Sequence, residues 1–311
     1  MSSRGLGESE PYVLATGAGA VHRLHMLHRV YGSAGRRVLQ QAGLTRGMRV
    51  ADFGCGVGVV SCMLAEMVGP SGTVTGIDVN GAQLDEARAW CAANGVTNAS
   101  FVEASACETG LPRESFDLVY CRFLLLHLPD PMSCLREMRS VLKPGGIVVV
   151  EDGDLATATS IPPTALDAFA DLFCRLGPIR GVDYSLARDL YHMVRRAGFS
   201  DAHLEIHQPA MVAGETRGLL KWSVEEAGPA MVEAGLISAE ALTRTLSEMQ
   251  DAIDDPDVVV LAPRMSLVWA RRAAVPRSRR RARRSPQHRR SGPYRDVTSA
   301  DDRALAPQET T

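Results

Sequence analysis

Asp52-Phe53-Gly54-Cys55-Gly56-Val57-Gly58 follows directly on the apolar stretch Met48-Arg49-Val50-Ala51. The pairing reads as a buried strand delivering a glycine-rich turn to a helix. Glycines at alternate positions let the backbone bend sharply and approach a bound molecule closely, because no Cβ intervenes. The turn therefore predicts a small-molecule site at the end of the strand.

Spacing narrows the choice of molecule. A dinucleotide fingerprint has its third glycine three residues after the second, so that a pyrophosphate can rest on the helix N-terminus; here that position is Val59, and the third glycine comes early, at Gly58. Asp52 at the strand tip would repel a pyrophosphate and attract a cationic group, although the same carboxylate could instead cap the following helix. Downstream, apolar residues at Val59, Val60, Met63, Leu64, Met67 and Val68 have helical spacing. Gly69-Pro70-Ser71-Gly72 makes a turn, and Thr73-Val74-Thr75-Gly76-Ile77 reads as a second strand ending in Asp78. An acidic residue about 20 positions after such a turn commonly accepts from both ribose hydroxyls, so the ligand is expected to carry a ribose.

The alternation continues, with strands expected near 48–52, 73–77, 99–103, 116–121 and 146–151 and helices between them, which requires a mostly parallel sheet covered on both faces. Ligands of such sheets bind at the carboxyl ends of the strands. Before this core, helical spacing runs from about Thr16 to Gly43, with Gly32-Ser33 predicted to break it into two helices. After it come helices near Thr164–Leu176 and Ser185–Ala197, a strand near His203–His207, a helical insert from about Glu215 to Ile253 and a last strand near Arg264–Ala270.

The ordered motifs resemble those of class I methyltransferases, which use S-adenosylmethionine (SAM). The resemblance covers roughly residues 12–271. It is carried by the glycine turn, Gly76-Ile77-Asp78-Val79, Ser115-Phe116-Asp117-Leu118-Val119, Leu126-His127-Leu128-Pro129-Asp130-Pro131 and Leu142-Lys143-Pro144-Gly145-Gly146. It implies an α/β fold, a doubly wound seven-stranded mostly parallel sheet with the last strand antiparallel, with N-terminal helices and a C-terminal helical insert as cap. It further implies that backbone around Gly54, Cys55 and Gly56 lines the methionine part of SAM with Asp52 nearby, that Asp78 takes the ribose, and that Val79, Ser105, Ala106 and Cys121 contribute to the cofactor site. Relatives often carry Gly-Asp-Ala where this chain has Ala104-Ser105-Ala106; a hydroxyl at Ser105 can still accept a hydrogen bond but brings no charge. By the same resemblance, Tyr12, Tyr31, Phe123 and His127 are candidates for the acceptor pocket. The enzymes most resembled methylate quinone precursors or natural products.

Methyl transfer from a sulfonium needs alignment more than acid catalysis, and a base only where the acceptor is a hydroxyl or an acidic carbon. His127 and Asp152 are the candidates for that base; for His127 a structural role is the stronger reading, and Asp152, like Asp154, could equally be a loop carboxylate facing water after the fifth strand. His22, His25 and His28 share a helix face, but no carboxylate joins them in a metal pattern, and no metal is expected. Marks of nucleic-acid methylation are missing from the sequence, which leaves a small-molecule acceptor. Two other readings stand beside this one: a SAM-binding protein that transfers no methyl, and an NAD(P)-dependent oxidoreductase, against which Val59 and the later motifs argue.

At 311 residues and 45% hydrophobic content the chain can bury a sizeable core. No apolar run approaches the length of a membrane span, and the first residues lack a signal-peptide core, so a cytoplasmic protein is expected. Seven scattered cysteines predict no disulfide framework. The net charge of −2 hides an asymmetry: residues 271–311 hold 12 arginines and 4 acidic residues, and the rest 22 basic and 32 acidic ones. Residues 1–11 and this Arg-rich tail are expected to be disordered, with 12–270 forming the domain: N-terminal helices to 46, a cofactor-binding core over 47–153, and a C-terminal part with the helical lid over 154–270. The basic tail could address nucleic acid or an anionic membrane surface, but it brings no folded binding surface.

Overall fold

The structure, a computed structural model, describes residues 18–274. Tyr12 and the expectations for residues 1–11 and 275–311 lie outside the described residues.

The strands are β1 (Arg49–Phe53), β2 (Thr73–Asp78), β3 (Ala99–Glu103), β4 (Phe116–Arg122), β5 (Leu142–Asp154), β6 (Thr159–Ile161), β7 (Phe199–His207), β8 (Ala210–Met211), β9 (Val259–Leu261) and β10 (Arg264–Arg272). Seven of them form one sheet in the order β3-β2-β1-β4-β5-β10-β7. β1 to β5 run parallel, and β10 lies antiparallel between β5 and β7. The expected doubly wound sheet with an antiparallel last strand is the architecture found. The order reverses at β1, so β2 and β3 lie to one side of the glycine turn and β4 and β5 to the other. A small antiparallel sheet, β6-β9-β8, went unread in the sequence, its strands being only two or three residues long.

The helices are α1 (Ala18–Ala42), α2 (Val59–Val68), α3 (Gly81–Ala93), α4 (Pro131–Val141), α5 (Ala168–Arg180), α6 (Leu190–Arg196), α7 (Leu219–Glu233) and α8 (Ala239–Asp254). Local chemistry sets several starts. Asn80 caps α3 by accepting from the Gln83 amide, and Asp130 caps α4 by accepting from Ser133 with Pro131 in the first turn. None of the described helices is long and apolar enough to cross a membrane.

Three expectations are corrected. α1 is one helix, unbroken at Gly32-Ser33. Its glycines serve close packing: a Cβ at Gly32 would lie 2.9 Å from the His28 ring, and one at Gly35 2.8 Å from Oε1 of Glu151 in the sheet. β5 extends to Asp154 because β10 pairs along it from Arg264↔Asp154 to Arg271↔Ile147. Asp152 and Asp154 are thus buried within the sheet rather than lying in a loop after it. β10 itself reaches Arg272, which donates to the Leu142 carbonyl and pairs with Glu114 at 2.5 Å, so residues 271 and 272 belong to the fold.

Candidate active site

Three loops converge at the carboxyl edge of β1, β2 and β3. After β1, Gly54, Gly56 and Gly58 all take left-handed backbone, with φ of 68°, 52° and 76°, a region that L side chains rarely adopt. The amides of Gly54 and Cys55 both donate to the Ile77 carbonyl, at 2.8 and 3.0 Å, which ties the turn to the end of β2. There is no room for side chains at its far end either: a Cβ at Gly58 would sit 2.7 Å from Ala87 Cβ and 3.0 Å from Ala87 Cα. After β2, Asp78 accepts from the Gly56 amide at 2.9 Å and from the Asn80 amide at 3.0 Å. After β3, the Ala104 amide donates to the Asp78 carbonyl at 3.0 Å, and the Ser105 hydroxyl accepts from the Cys107 amide at 3.2 Å.

Beside these loops lies a cavity of about 660 Å³, within the usual range of ligand sites. Gly54, Gly56, Asp78, Val79, Asn80, Gln83, Ser105 and Ala106 line one side. Val79 is 70% exposed, an apolar side chain left facing open space beside a carboxylate. The other side is built from α1 (Arg23, Leu24, Leu27), the end of β4 and the turn after it (Arg122 to Leu128, without Leu125), α5 (Phe169, Phe173), α7 (Leu219, Leu220, Ser223) and the residues Leu155 and Pro263. Arg23, nearly buried, donates to Glu226 of α7 at 2.8 Å, so N-terminal helix and insert are joined across this wall.

The proposed base residues separate here. Asp152 does not reach the cavity; its carboxylate accepts from the amides of Leu125, Leu126 and Gly153 at 2.8, 3.3 and 3.0 Å. It fixes the turn that presents Leu126 and His127. Burial pushes its carboxyl up to about 7. His127 does line the cavity, almost buried, with its ring edge-on to Tyr184. Burial, then the neighbouring Arg23 charge, lowers it to about 3, so at neutral pH it is an uncharged imidazole of weak basicity.

Of the residues expected around the cofactor, Asp52, Cys55 and Cys121 are not on the cavity wall. Asp52 is buried beneath the turn, accepting from Ser61 of α2 at 2.6 Å, and burial pushes it up to about 7. It neither faces the cavity nor caps α2. Cys55 and Cys121 are buried in the packing of turn and sheet, where burial pushes both thiols up. Tyr31 also lies behind the wall: its hydroxyl donates to the Pro263 carbonyl at 2.8 Å and its ring packs edge-on against Phe123. Phe123 is in the wall and takes a left-handed φ of 51°, held by the hydrogen bond its amide donates to the Glu151 carbonyl at 2.9 Å. The three histidines of α1 have separate partners, His22 with Glu215, His25 against Trp90 and His28 beside Arg122.

Sequence reading missed Arg23, Arg122, Leu124, Phe169 and Phe173. A signal existed for Arg122 alone, as the charge that ends the apolar strand Leu118-Val119-Tyr120-Cys121.

Residues 44–198 match the family model described as a methyltransferase domain. The demethylmenaquinone methyltransferase of Staphylococcus aureus is 32% identical over 165 residues, covering 53% of this chain and 66% of that protein; the match thus spans just under two thirds of the relative's length. Among solved structures, BH2331 of Bacillus halodurans C-125 aligns with a TM-score of 0.54 at 22% identity, covering 76% of this chain and 98% of that one. YcgJ of Bacillus subtilis aligns at 0.53 and 20%, covering 80% and 100%. Both share the fold. The glycine turn and Asp78 meet on one cavity wall of this fold, and residues 44–198 are a methyltransferase domain of the class I type, whose cofactor is S-adenosylmethionine.

Proposed function

We propose that this chain transfers a methyl group from SAM to a small apolar acceptor held in the same cavity. The observation that carries the reading is continuity: one cavity joins the loops after β1, β2 and β3 to a wall of leucine and phenylalanine side chains over β4 and β5. Gly54 and Gly56 would admit the methionine part against the backbone, Asp78 would accept from the ribose hydroxyls, and Val79, Ser105 and Ala106 would border the adenine. Bound there, SAM supplies an electrophilic methyl carbon on a sulfonium. The chain's own task is then to orient the acceptor and exclude water, which the joined α1 and α7 favour by covering the carboxyl edge. Similarity to a demethylmenaquinone methyltransferase supports a small-molecule acceptor.

The test is incubation of the full chain with methyl-labelled SAM and fractionated metabolite extracts, reading label transfer and S-adenosylhomocysteine together. Cofactor binding with no label transferred from any fraction would leave a SAM-binding protein and remove the transferase reading.

A further inference from the structure

The far wall of the cavity is apolar except for Arg23, Arg122, His127 and Ser223. Ser223 is turned to its own helix, donating to the Leu219 carbonyl at 2.9 Å, and Arg23 is joined to Glu226. Arg122 differs from both. Its Nη2 lies 3.5 Å from Nδ1 of His28, and its buried Nη1 has no hydrogen-bond partner among the described residues. Its cross-strand neighbour Glu151 forms no ion pair with it. Burial pushes that carboxyl up to about 7 against the pull of the Arg122 charge, which also acts on Asp52. His28 is itself lowered to about 4 by burial and by Arg122, so it meets the guanidinium as a neutral acceptor that orients it without cancelling its charge. A half-buried guanidinium on the cavity wall, set among leucine and phenylalanine side chains and in no ion pair among the described residues, is matched by an oxygen anion on an otherwise apolar molecule.

The remaining groups agree with that. Among the described residues lining the cavity, the possible proton acceptors are Asp78, already engaged by two backbone amides, and His127, weakly basic beside Arg23. Neither is suited to ionising an acceptor hydroxyl. Resting on the methyltransferase reading above, we infer that the acceptor is an apolar molecule that enters already ionised, and that Arg122 binds its oxyanion. The methionine carboxylate of the cofactor offers the same chemistry. Arg122 ends β4 directly beside the turn after β1, and what favours the acceptor is the aromatic and aliphatic wall that follows it in the chain.

Calorimetry on the full chain separates these possibilities. S-adenosylhomocysteine is titrated first; no binding would bring down the methyltransferase reading, not this inference. The saturated protein is then titrated with 2-naphthoate and with its neutral isostere 2-naphthamide. The expected result is at least tenfold tighter binding of the naphthoate, falling to within threefold in R122Q and kept in R122K, while S-adenosylhomocysteine affinity changes less than threefold. Equal affinity for the two probes, binding of neither at millimolar concentration, or a preference that survives in R122Q would overturn the inference. So would a tenfold loss of S-adenosylhomocysteine affinity in R122Q with the naphthoate preference intact, which would give the arginine to the cofactor. If R122Q does not fold, the wild-type preference and its retention in R122K decide the matter.

Discussion

The cavity wall over β1, β2 and β3 comes from residues 54–106 and consists mostly of glycine backbone, one carboxylate and small side chains. The wall over β4 and β5 gathers side chains as far apart in sequence as Arg23 and Pro263, nearly all leucine, phenylalanine or arginine. The first is a local structure, made by turns that follow strands directly, and it tolerates little change because backbone has nowhere to go. The second is a tertiary assembly whose parts can be exchanged if volume and charge are respected. A cofactor shared by many enzymes suits the first kind of wall and an individual acceptor the second.

The sharpest way to break this contrast is Gly58→Val. A β-branched residue with a left-handed φ, its Cβ driven into the backbone of Ala87, should cost about 3–5 kcal/mol, a large share of a typical stability. Denaturant unfolding would measure it. A loss under about 1 kcal/mol would mean the turn is far more pliable than the structure shows.

On the opposite wall, Glu226→Ala leaves the nearly buried Arg23 without its carboxylate. About 3 kcal/mol of destabilisation follows from removing one partner of a buried pair, and protection of α1 and α7 amides from hydrogen exchange should fall together. Protection lost in only one of the two helices would show that the wall is not a single unit.

Asp78→Ala tests function more than stability. Charge-assisted bonds are worth about 1.5–3 kcal/mol, so S-adenosylhomocysteine affinity should fall at least tenfold while the melting temperature moves by a few degrees. An unchanged dissociation constant in the folded variant would remove Asp78 from the cofactor site.

The smallest effect concerns the buried carboxyls beneath both walls. Asp52, Glu151 and Asp152 are pushed by burial to about 7, from ordinary values of 3.8 to 4.5. The folded protein therefore keeps protons that the unfolded chain releases, and stability falls as pH rises toward and just past 7. His28 and His127, lowered to about 4 and about 3, oppose this, since the unfolded chain binds more protons there. Their influence ends above the ordinary histidine value of 6.5. Between pH 6.5 and 7 the three carboxyls outweigh Cys107, whose thiol is held down to about 7 first by its hydrogen bond with Cys134 and which opposes them at higher pH, so the melting temperature should decline over that interval and decline less in Glu151→Gln. A flat wild-type profile would show that these carboxyls stay ionised.

The order of motifs from Asp52 to Gly146 was enough to obtain the sheet and the glycine-turn wall of the cavity, because each turn there is made by residues adjacent in the chain and constrained by φ angles that glycine alone takes easily. Asp78, Val79, Ser105 and Ala106 were found on the wall for the same reason. Asp52 and Asp152 could not be placed by their position in sequence: both sit at the carboxyl end of a strand, yet Ser61 holds one below the turn and three backbone amides hold the other behind it. Whether Gly32 ends a helix or lets one pack closely depends on what lies opposite, here the His28 ring on the same helix, just as Glu151 lies opposite Gly35. Sequence by itself thus determined the α/β alternation, the glycine turn and the acidic anchor, all products of short-range steric and hydrogen-bonding rules. Tertiary structure alone decided which carboxylates face the cavity, that α1 and α7 close it through Arg23 and Glu226, and that Arg122 stands in an apolar wall outside any ion pair among the described residues, because burial and charge pairing arise only between segments far apart in the chain.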